Sequence, residues 1–358
     1  MNYKYQFPVV KGKQSGREYY IAMVPLGMLN RLFGEDNEYV PPEYRAQRKL
    51  NEARIPEIKN YILDNRETYV FSALAASIDG KHTFISTDNG ELGMLEVDMD
   101  AKFLINDGQH RKAAILAAIE EAPELADETI SVVFYEDQGL ERSQQMFTDL
   151  NKHAVKTSNS IAELYDSRDS LAVATRNVIS ENPFLDEYVD KEKDILGKFS
   201  SSLFTLSTFY NANRRILRRN NCDEGFQNFI KEFWDQVVEH MPPWKEITEK
   251  QLSKVDLREQ YIASQAVVIQ ALGKLGAYLY DNSREDISVL KGLEKINWKR
   301  SNSVWKLRVI RNNGRMINSE KSISLAAIAI KNMLGIDLLE DEVFEEDSFK
   351  DTVLNGEK

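Results

Sequence analysis

With 358 residues, a 42% hydrophobic fraction and a net charge of −11, the chain has enough apolar material for one elaborated domain or two packed units, and no run near the roughly 20 apolar residues of a membrane span. Its single cysteine, Cys222, excludes an internal disulfide framework, and no Cys/His cluster has zinc-site spacing, so no metal centre is expected. The opening Met1-Asn2-Tyr3-Lys4-Tyr5 lacks the apolar core of a secretion signal, and a soluble cytoplasmic protein without a membrane partner is expected.

The first 150 or so residues alternate short apolar runs with helical patterns, as an α/β or α+β domain should. Residues Tyr19 to Val24 read as a strand, with a short helix starting at Pro25 to Leu29. Pro41-Pro42 interrupts; Glu43 to Asn65 then has near-helical spacing, with Pro56 breaking or beginning a helix. Tyr69 to Leu74 and Lys102 to Ile105 read as strands, Gln109 to Glu121 as an alanine-rich helix, Ile130 to Tyr135 as another buried strand, and Glu141 to Asn151 as helical. From about residue 158 apolar residues recur at three and four, predicting helices at Ser160 to Glu181, Leu206 to Asn220, Phe226 to His240, Arg258 to Asp281 and Ser322 to Leu334. The organisation predicted is an α/β domain over residues 1–158, a mainly helical domain over 159–339, and a flexible acidic tail over 340–358.

The charge is unevenly spread. Residues Asp337 to Lys358 hold nine acids and two lysines, −7 of the total, leaving the body at −4. Two segments of that body are basic. Arg214, Arg215, Arg218 and Arg219 fall within about a third of a helix's circumference if one helix carries them, and no acid lies between Asp194 and Asp223. Lys299 to Lys321 has seven basic residues, among them Lys306, Arg308, Arg311 and Arg315, against one Glu, with Trp298 and Trp305 nearby. Local patches set phosphate binding, so these residues are candidate DNA contacts; the alternative is packing against acidic neighbours, with the tryptophans either stacking on bases or buried in the core. Cys222 reads most simply as a small buried residue; its basic neighbourhood could lower its pKa, but no role is assigned to it.

The sharpest local signal is Asn106-Asp107-Gly108-Gln109-His110-Arg111, where an apolar strand runs directly into a helix start. Such a turn offers unpaired N–H groups and the positive end of the helix dipole to an anion. Gly108 permits close backbone approach, and His110 and Arg111 add donors. Asp107 can cap the helix, hold a metal ion or accept a proton. A purely structural capped turn is the alternative.

Asp107 to Arg111 is the five-residue signature of the DGQHR-domain family, and further segments resemble the DndB proteins of DNA sulfur modification within it: Arg45-Ala46-Gln47-Arg48 through Tyr61-Ile62, Phe147 through Val155, and Trp305-Lys306-Leu307-Arg308 with Gly314-Arg315-Met316. The resemblance spans residues 1 to 335. It implies a ParB/sulfiredoxin-like fold for the first domain, whose strand-to-helix turn holds nucleotide phosphates. Gly108, Gln109, His110 and Arg111 then become phosphate contacts, joined by Asn151, Lys152 and His153 and by Arg45, Gln47 and Arg48 from the upstream helix. Gln109 stands where sulfiredoxin has its reactive cysteine, so cysteine-based reduction at this turn is ruled out.

What the resemblance implies is a DNA-binding accessory and transcriptional regulatory protein of DNA phosphorothioation, with DNA at the promoter of the modification genes, or as the modification substrate, and other phosphorothioation proteins as partners. ATP or another nucleotide with Mg²⁺ is the candidate cofactor, and a homo-oligomer is open. The alternative is a nucleotide-hydrolysing or DNA-nicking enzyme with Asp107 and His110 as catalytic residues. The absence of a separate carboxylate cluster suited to two-metal chemistry favours binding over cleavage.

Overall fold

The structure, a computed structural model, describes residues 3–34, 52–87, 90–136, 145–146, 149–150, 157–281 and 287–356. It is a mixed α/β protein that divides into two compact units, Met1–Val155 and Lys156–Lys358.

The first unit is built on a seven-stranded sheet with strand order β4-β5-β1-β2-β7-β3-β6. Its strands are β1 (Lys4–Gln14), β2 (Arg17–Pro25), β3 (Leu74–Asp79), β4 (His82–Ser86), β5 (Leu92–Asp98), β6 (Lys102–Asp107) and β7 (Thr129–Glu136). All neighbours are antiparallel except the parallel pair β3–β7. Between Gln14 and Arg17, Ser15 and Gly16 both take positive φ (51° and 79°), the two-residue turn whose twist matches a hairpin. Alternation then selects the buried face: Phe7 and Val9 of β1, Tyr20, Ala22 and Val24 of β2, and Ile130, Val132 and Phe134 of β7 point inward. Strand β3 is buried from Leu74 through Ile78, as a parallel-paired interior strand should be.

The helices here are α1 (Leu29–Leu32), α2 (Ile55–Asp64) and α3 (Gln109–Glu121). Pro56 sits in the first turn of α2, where its missing N–H costs nothing. Ala, Leu, Lys and Glu, all strong helix formers, make up most of α3, and Pro123 closes off further helix after Ala122. The expected strand at 69–74 is displaced: β3 begins only at Leu74. Thr68 and Tyr69 instead donate their N–H groups to the Asn65 carbonyl in a turn, and the carbonyls of Ser72 and Ala73 go to a guanidinium, leaving no ladder for a strand to join.

The second unit is helical: α4 (Asn159–Tyr165), α5 (Ser170–Glu181), α6 (Pro183–Tyr188), α7 (Leu206–Leu217), α8 (Glu224–His240), α9 (Pro242–Thr248), α10 (Lys254–Gln260), α11 (Ala266–Asp281), α12 (Glu320–Leu334) and α13 (Glu340–Gly356), with a small parallel pair, β8 (Val189–Asp190) and β9 (Phe204–Thr205). Two of the predicted long helices are each two. Asp166 accepts N–H bonds from Arg168 and Asp169, and Asp169 caps α5 through Leu171 and Ala172, so 160–181 breaks there. Residues 258–281 break where Ile262 donates to the Trp298 carbonyl.

The core of this unit is aromatic. Trp244 stacks on Phe184 at 5.3 Å, and Trp298 on Trp305 at 5.7 Å, so both tryptophans of the basic segment are interior. Each such burial removes apolar area worth about 1.5–3 kcal/mol from water. Asn213, wholly buried, accepts from Trp234 Nε1 (2.7 Å) and donates to Thr175 (3.0 Å), a satisfied polar chain through the core.

The acidic tail is corrected most. Residues 340–356 form helix α13, held down by buried ion pairs. Glu346 accepts both Arg308 amino groups at 2.6 Å, and Glu342 accepts Lys331 Nζ at 2.7 and 2.8 Å. The Arg308 guanidinium also lies 4.3 Å from the centre of the Phe349 ring. Lys331 is 1% exposed; burial draws its ammonium below its ordinary pKa while Glu342 holds it up.

Candidate functional site

Strand β6 ends at Asp107 and α3 begins at Gln109, with only Gly108 between them. Gly108 has φ +104°, and a Cβ there would lie 2.3 Å from Leu74 Cδ2, so both backbone and space require glycine. The N-cap position is held by Gly108, which has no side chain to cap with, and not by Asp107. The Asp107 carboxylate turns to Arg111, accepting from Nη2 at 2.5 Å. No acid stands in the first turn of α3, and the positive end of the helix dipole there favours an incoming anion.

Arg111 is a brace as much as a donor. Beyond Asp107 it donates to the carbonyls of Ser72 (2.6 Å) and Ala73 (2.9 Å), tying the approach to β3 against the turn. Lys112, which sequence reasoning passed over, donates to the carbonyls of Phe33 and Gly34 at 2.9 and 2.7 Å and secures the end of α1. Its position next to the signature was the only available hint. Gln109 and His110 are partly exposed in the first turn. Asn106, 1% exposed, donates to Ser77 Oγ at 2.6 Å and to Met146 Sδ at 3.2 Å, while its Oδ1 has no partner. Arg45, Gln47, Arg48, Asn151, Lys152 and His153, expected around the same cleft, lie outside the described residues.

In the second unit the arginine cluster does not form one helix face. Helix α7 ends at Leu217, and Arg218 reverses the chain with φ 50°. Arg215 binds Glu320 (2.5 and 2.9 Å) and Gln270 (2.8 and 3.1 Å), and Arg218 binds Asp281 at 2.6 Å. Arg214 and Arg219 are exposed and form no ion pair among the described residues.

The second basic segment also splits. Arg308 is interior, paired with Glu346 as above, and so is withdrawn from the surface; its acceptor lies in the tail whose composition predicts flexibility. Lys306, Arg311 and Arg315 are exposed with no ion pair among the described residues. Arg311 and Arg315 flank a tight turn, closed by Arg311 N to Arg315 O at 2.9 Å and by Gly314 N to Arg311 O at 2.9 Å. The two exposed arginines thus stand at either end of one hydrogen-bonded turn.

Cys222 also departs from expectation. Burial, with Asp169 and Asp223 nearby, pushes its thiol up rather than down, against a weaker pull from Ser170. No helix among the described residues is long and apolar enough to cross a membrane.

Sequence reasoning missed one cluster altogether. Glu163, Asp166, Asp169, Tyr210, Asn211 and Arg214 line a cavity of about 390 Å³ in the second unit. The Asp166-x-x-Asp169 spacing was a readable helix break, but Tyr210 and Arg214 join it only through folding.

Compared with known proteins, residues 7–337 match the model of the DndB family, described as DNA-sulfur modification-associated. No curated protein and no solved structure matches.

Proposed function

The chain belongs to the DndB family, DNA-sulfur modification-associated, and from that premise we propose that it is a DNA-binding accessory protein of DNA phosphorothioation that controls the modification genes at their promoter. The observation that carries this reading is the set of exposed cations without an ion-pair partner among the described residues: Arg214 and Arg219 in one place, Lys306, Arg311 and Arg315 in another. A surface cation with no protein counter-ion is the group whose condensed ions a phosphate backbone replaces, and the net charge of −11 does not oppose it because α13, with seven acids and one lysine, carries −6 of it. Other phosphorothioation proteins are the expected protein partners, and a homo-oligomer is compatible with the reading.

Filter binding of promoter duplex across a salt series tests it. Arg219→Ala/Arg311→Ala/Arg315→Ala should flatten the slope of log affinity against log salt by roughly 0.9 for each phosphate that is no longer neutralised. Arg215→Ala, whose guanidinium has Glu320, should leave the slope nearly unchanged. An unaltered slope in the triple variant removes these residues from the interface.

The start of α3, with glycine at its N-cap and no acid in its first turn, supports a second role within the same reading, a ParB-like phosphate site where ATP or another nucleotide with Mg²⁺ biases DNA binding. Gln109 and His110 contribute side-chain donors there, and Arg111 contributes chiefly by holding the turn's shape. For nucleotide hydrolysis or DNA nicking, Asp107 and His110 are the residues available, although Asp107 already has Arg111 as its partner. ATP titration with and without Mg²⁺ separates these outcomes: His110→Ala should weaken binding several-fold with an unchanged melting temperature. Equal binding by wild type and variant ends the phosphate role of His110.

A further inference from the structure

One loop of the second unit carries apolar side chains that the core does not use. It runs from residue 191 to residue 203 between β8 and β9, and is closed at its base by the pairing of those strands and by Leu203 N–H donating to the Tyr188 carbonyl at 2.7 Å. Compact loops closed in this way recur at functional sites. Two of its side chains stand almost wholly in water: Ile195 is 87% exposed and Phe199 is 83% exposed. A single apolar residue on a surface is ordinary. Two on one loop mean more when the backbone that carries them is tied down.

This backbone is tied on both limbs. Arg258 of α10 donates to the carbonyls of Lys198 at 2.9 Å, of Ser200 at 2.7 Å and of Ser202. The Gly197 carbonyl accepts from Ser200 N–H at 3.0 Å, a turn that puts Lys198 and Phe199 at its corner. On the other limb Asp190 accepts from the N–H groups of Glu192 and Lys193 at 3.0 and 2.8 Å, and Asp194 from those of Asn159 and Ser160 at 2.8 and 2.9 Å. Ser160 Oγ donates to the Lys193 carbonyl at 2.9 Å. Ile195 and Phe199 are therefore held out by a braced loop, not left out by a slack one.

The charge around the two side chains points to what they meet. The carboxylates of Asp190 and Asp194 are taken up by backbone N–H groups, whereas Lys193 is exposed with no ion pair among the described residues. The Lys198 ammonium, paired with Glu259, lies 5.7 Å from the centre of the Phe199 ring. The helix that grips the loop also meets the start of the basic segment: the Arg258 carbonyl accepts from Arg300 Nη2 at 2.6 Å, and the Gln260 carbonyl from Arg300 N–H at 2.7 Å. Lys299 beside it is exposed and has no ion pair among the described residues. Stacked bases offer apolar faces between rows of phosphate, so a rigid apolar tip framed by lysines and continuous with a basic segment suits DNA better than the pocket of a protein.

Resting on the DNA-binding reading above, we propose that this loop is a wedge that inserts Phe199 and Ile195 at a base step of the duplex, unstacking and kinking it. The step entered is a flexible pyrimidine–purine step, TA or CA/TG, which costs least to open. The loop thereby supplies a sequence preference that phosphate contacts alone do not carry.

The full chain titrated into a synthetic duplex with 2-aminopurine at a central TA step, and fluorophores at its two ends, tests the wedge. Wild type should raise the 2-aminopurine fluorescence as the step unstacks and bring the duplex ends closer, and should bind a duplex with a GC-only centre several-fold more weakly. Phe199→Ala should abolish the fluorescence rise and weaken binding about tenfold, while Phe199→Trp keeps both; Ile195→Ala should show the same loss to a smaller extent. Because no phosphate contact is removed, the slope of affinity against salt should stay that of the wild type, and because both side chains are exposed the melting temperature should not move. A wild type that binds no duplex at any salt overturns the DNA-binding reading and the wedge together. Salt-dependent binding by wild type that Phe199→Ala reproduces in affinity and fluorescence overturns the wedge alone. So does a Phe199→Ala variant that keeps DNA binding but loses self-association in sedimentation, which would assign the loop to a protein contact.

Discussion

The turn at residues 107–111 and the basic segment at residues 299–321 both display arginine in the sequence, and the fold uses it differently in each. In the turn, the Arg111 guanidinium is absorbed by Asp107 and the carbonyls of Ser72 and Ala73. In the segment, one arginine is sunk against Glu346 while two others stand exposed at the ends of a tight turn. A basic residue thus stays an unpaired surface charge only where the fold brings no acid to it, and in the second unit those acids come from afar: Glu346 is 38 residues from Arg308, and Glu320 is 105 from Arg215.

The buried pair is where this contrast can be broken most sharply. Glu346→Ala leaves Arg308 interior and uncompensated and should cost about 3–5 kcal/mol in urea unfolding, while Arg308→Met/Glu346→Leu should recover most of it. A loss below about 1 kcal/mol would mean that Arg308 reaches water and belongs with the exposed group. Next in size is Gly108→Ala, where a positive φ and the Leu74 methyl both resist a side chain; thermal unfolding should register about 2–3 kcal/mol. Arg111→Lys keeps the charge but loses the fork that reaches Asp107, Ser72 and Ala73 together, with an expected loss of about 1–2 kcal/mol. If that variant is as stable as the wild type, bracing is not what Arg111 does.

The smallest effect carries a sign. The Glu163 carboxyl is raised in the folded protein from the ordinary 4.5 to about 7, so between those values the folded state holds the extra proton and stability falls as pH rises. Glu163→Gln removes that penalty. The variant should match the wild type near pH 4 and exceed it above pH 8 by about 1 kcal/mol once partial exposure is discounted. Chemical denaturation at the two pH values checks this, and an advantage greatest at acid pH would reverse the assignment.

Much of the fold was legible where a pattern is local. Helix α3 spans Gln109 to Glu121, the limits its composition and the flanking Gly108 and Pro123 set, and β2, β6 and β7 lie where apolar runs predict them. Strands β1, β4 and β5 are not among the predicted elements: β1 carries Pro8, Gly12 and three lysines, β4 has only five residues, and each is a strand because its neighbours pair with it. At the candidate site the turn's geometry was readable, but Arg111's acceptors at Ser72 and Ala73 were not, because they lie 39 and 38 residues upstream. The cavity lined by Glu163, Asp169 and Tyr210 was hidden for the same reason, its wall being assembled from helices far apart in sequence.

Helix α13 has a practical consequence for how this chain is handled. The family match stops at residue 337, yet Glu342 and Glu346 neutralise Lys331 and Arg308 within the matched region. Ending the chain at that boundary would remove eight acids and two lysines, shifting the net charge from −11 to −5, and strip two interior cations of their counter-ions. An affinity for DNA measured on such a shortened protein would report charges that the 358-residue chain keeps indoors.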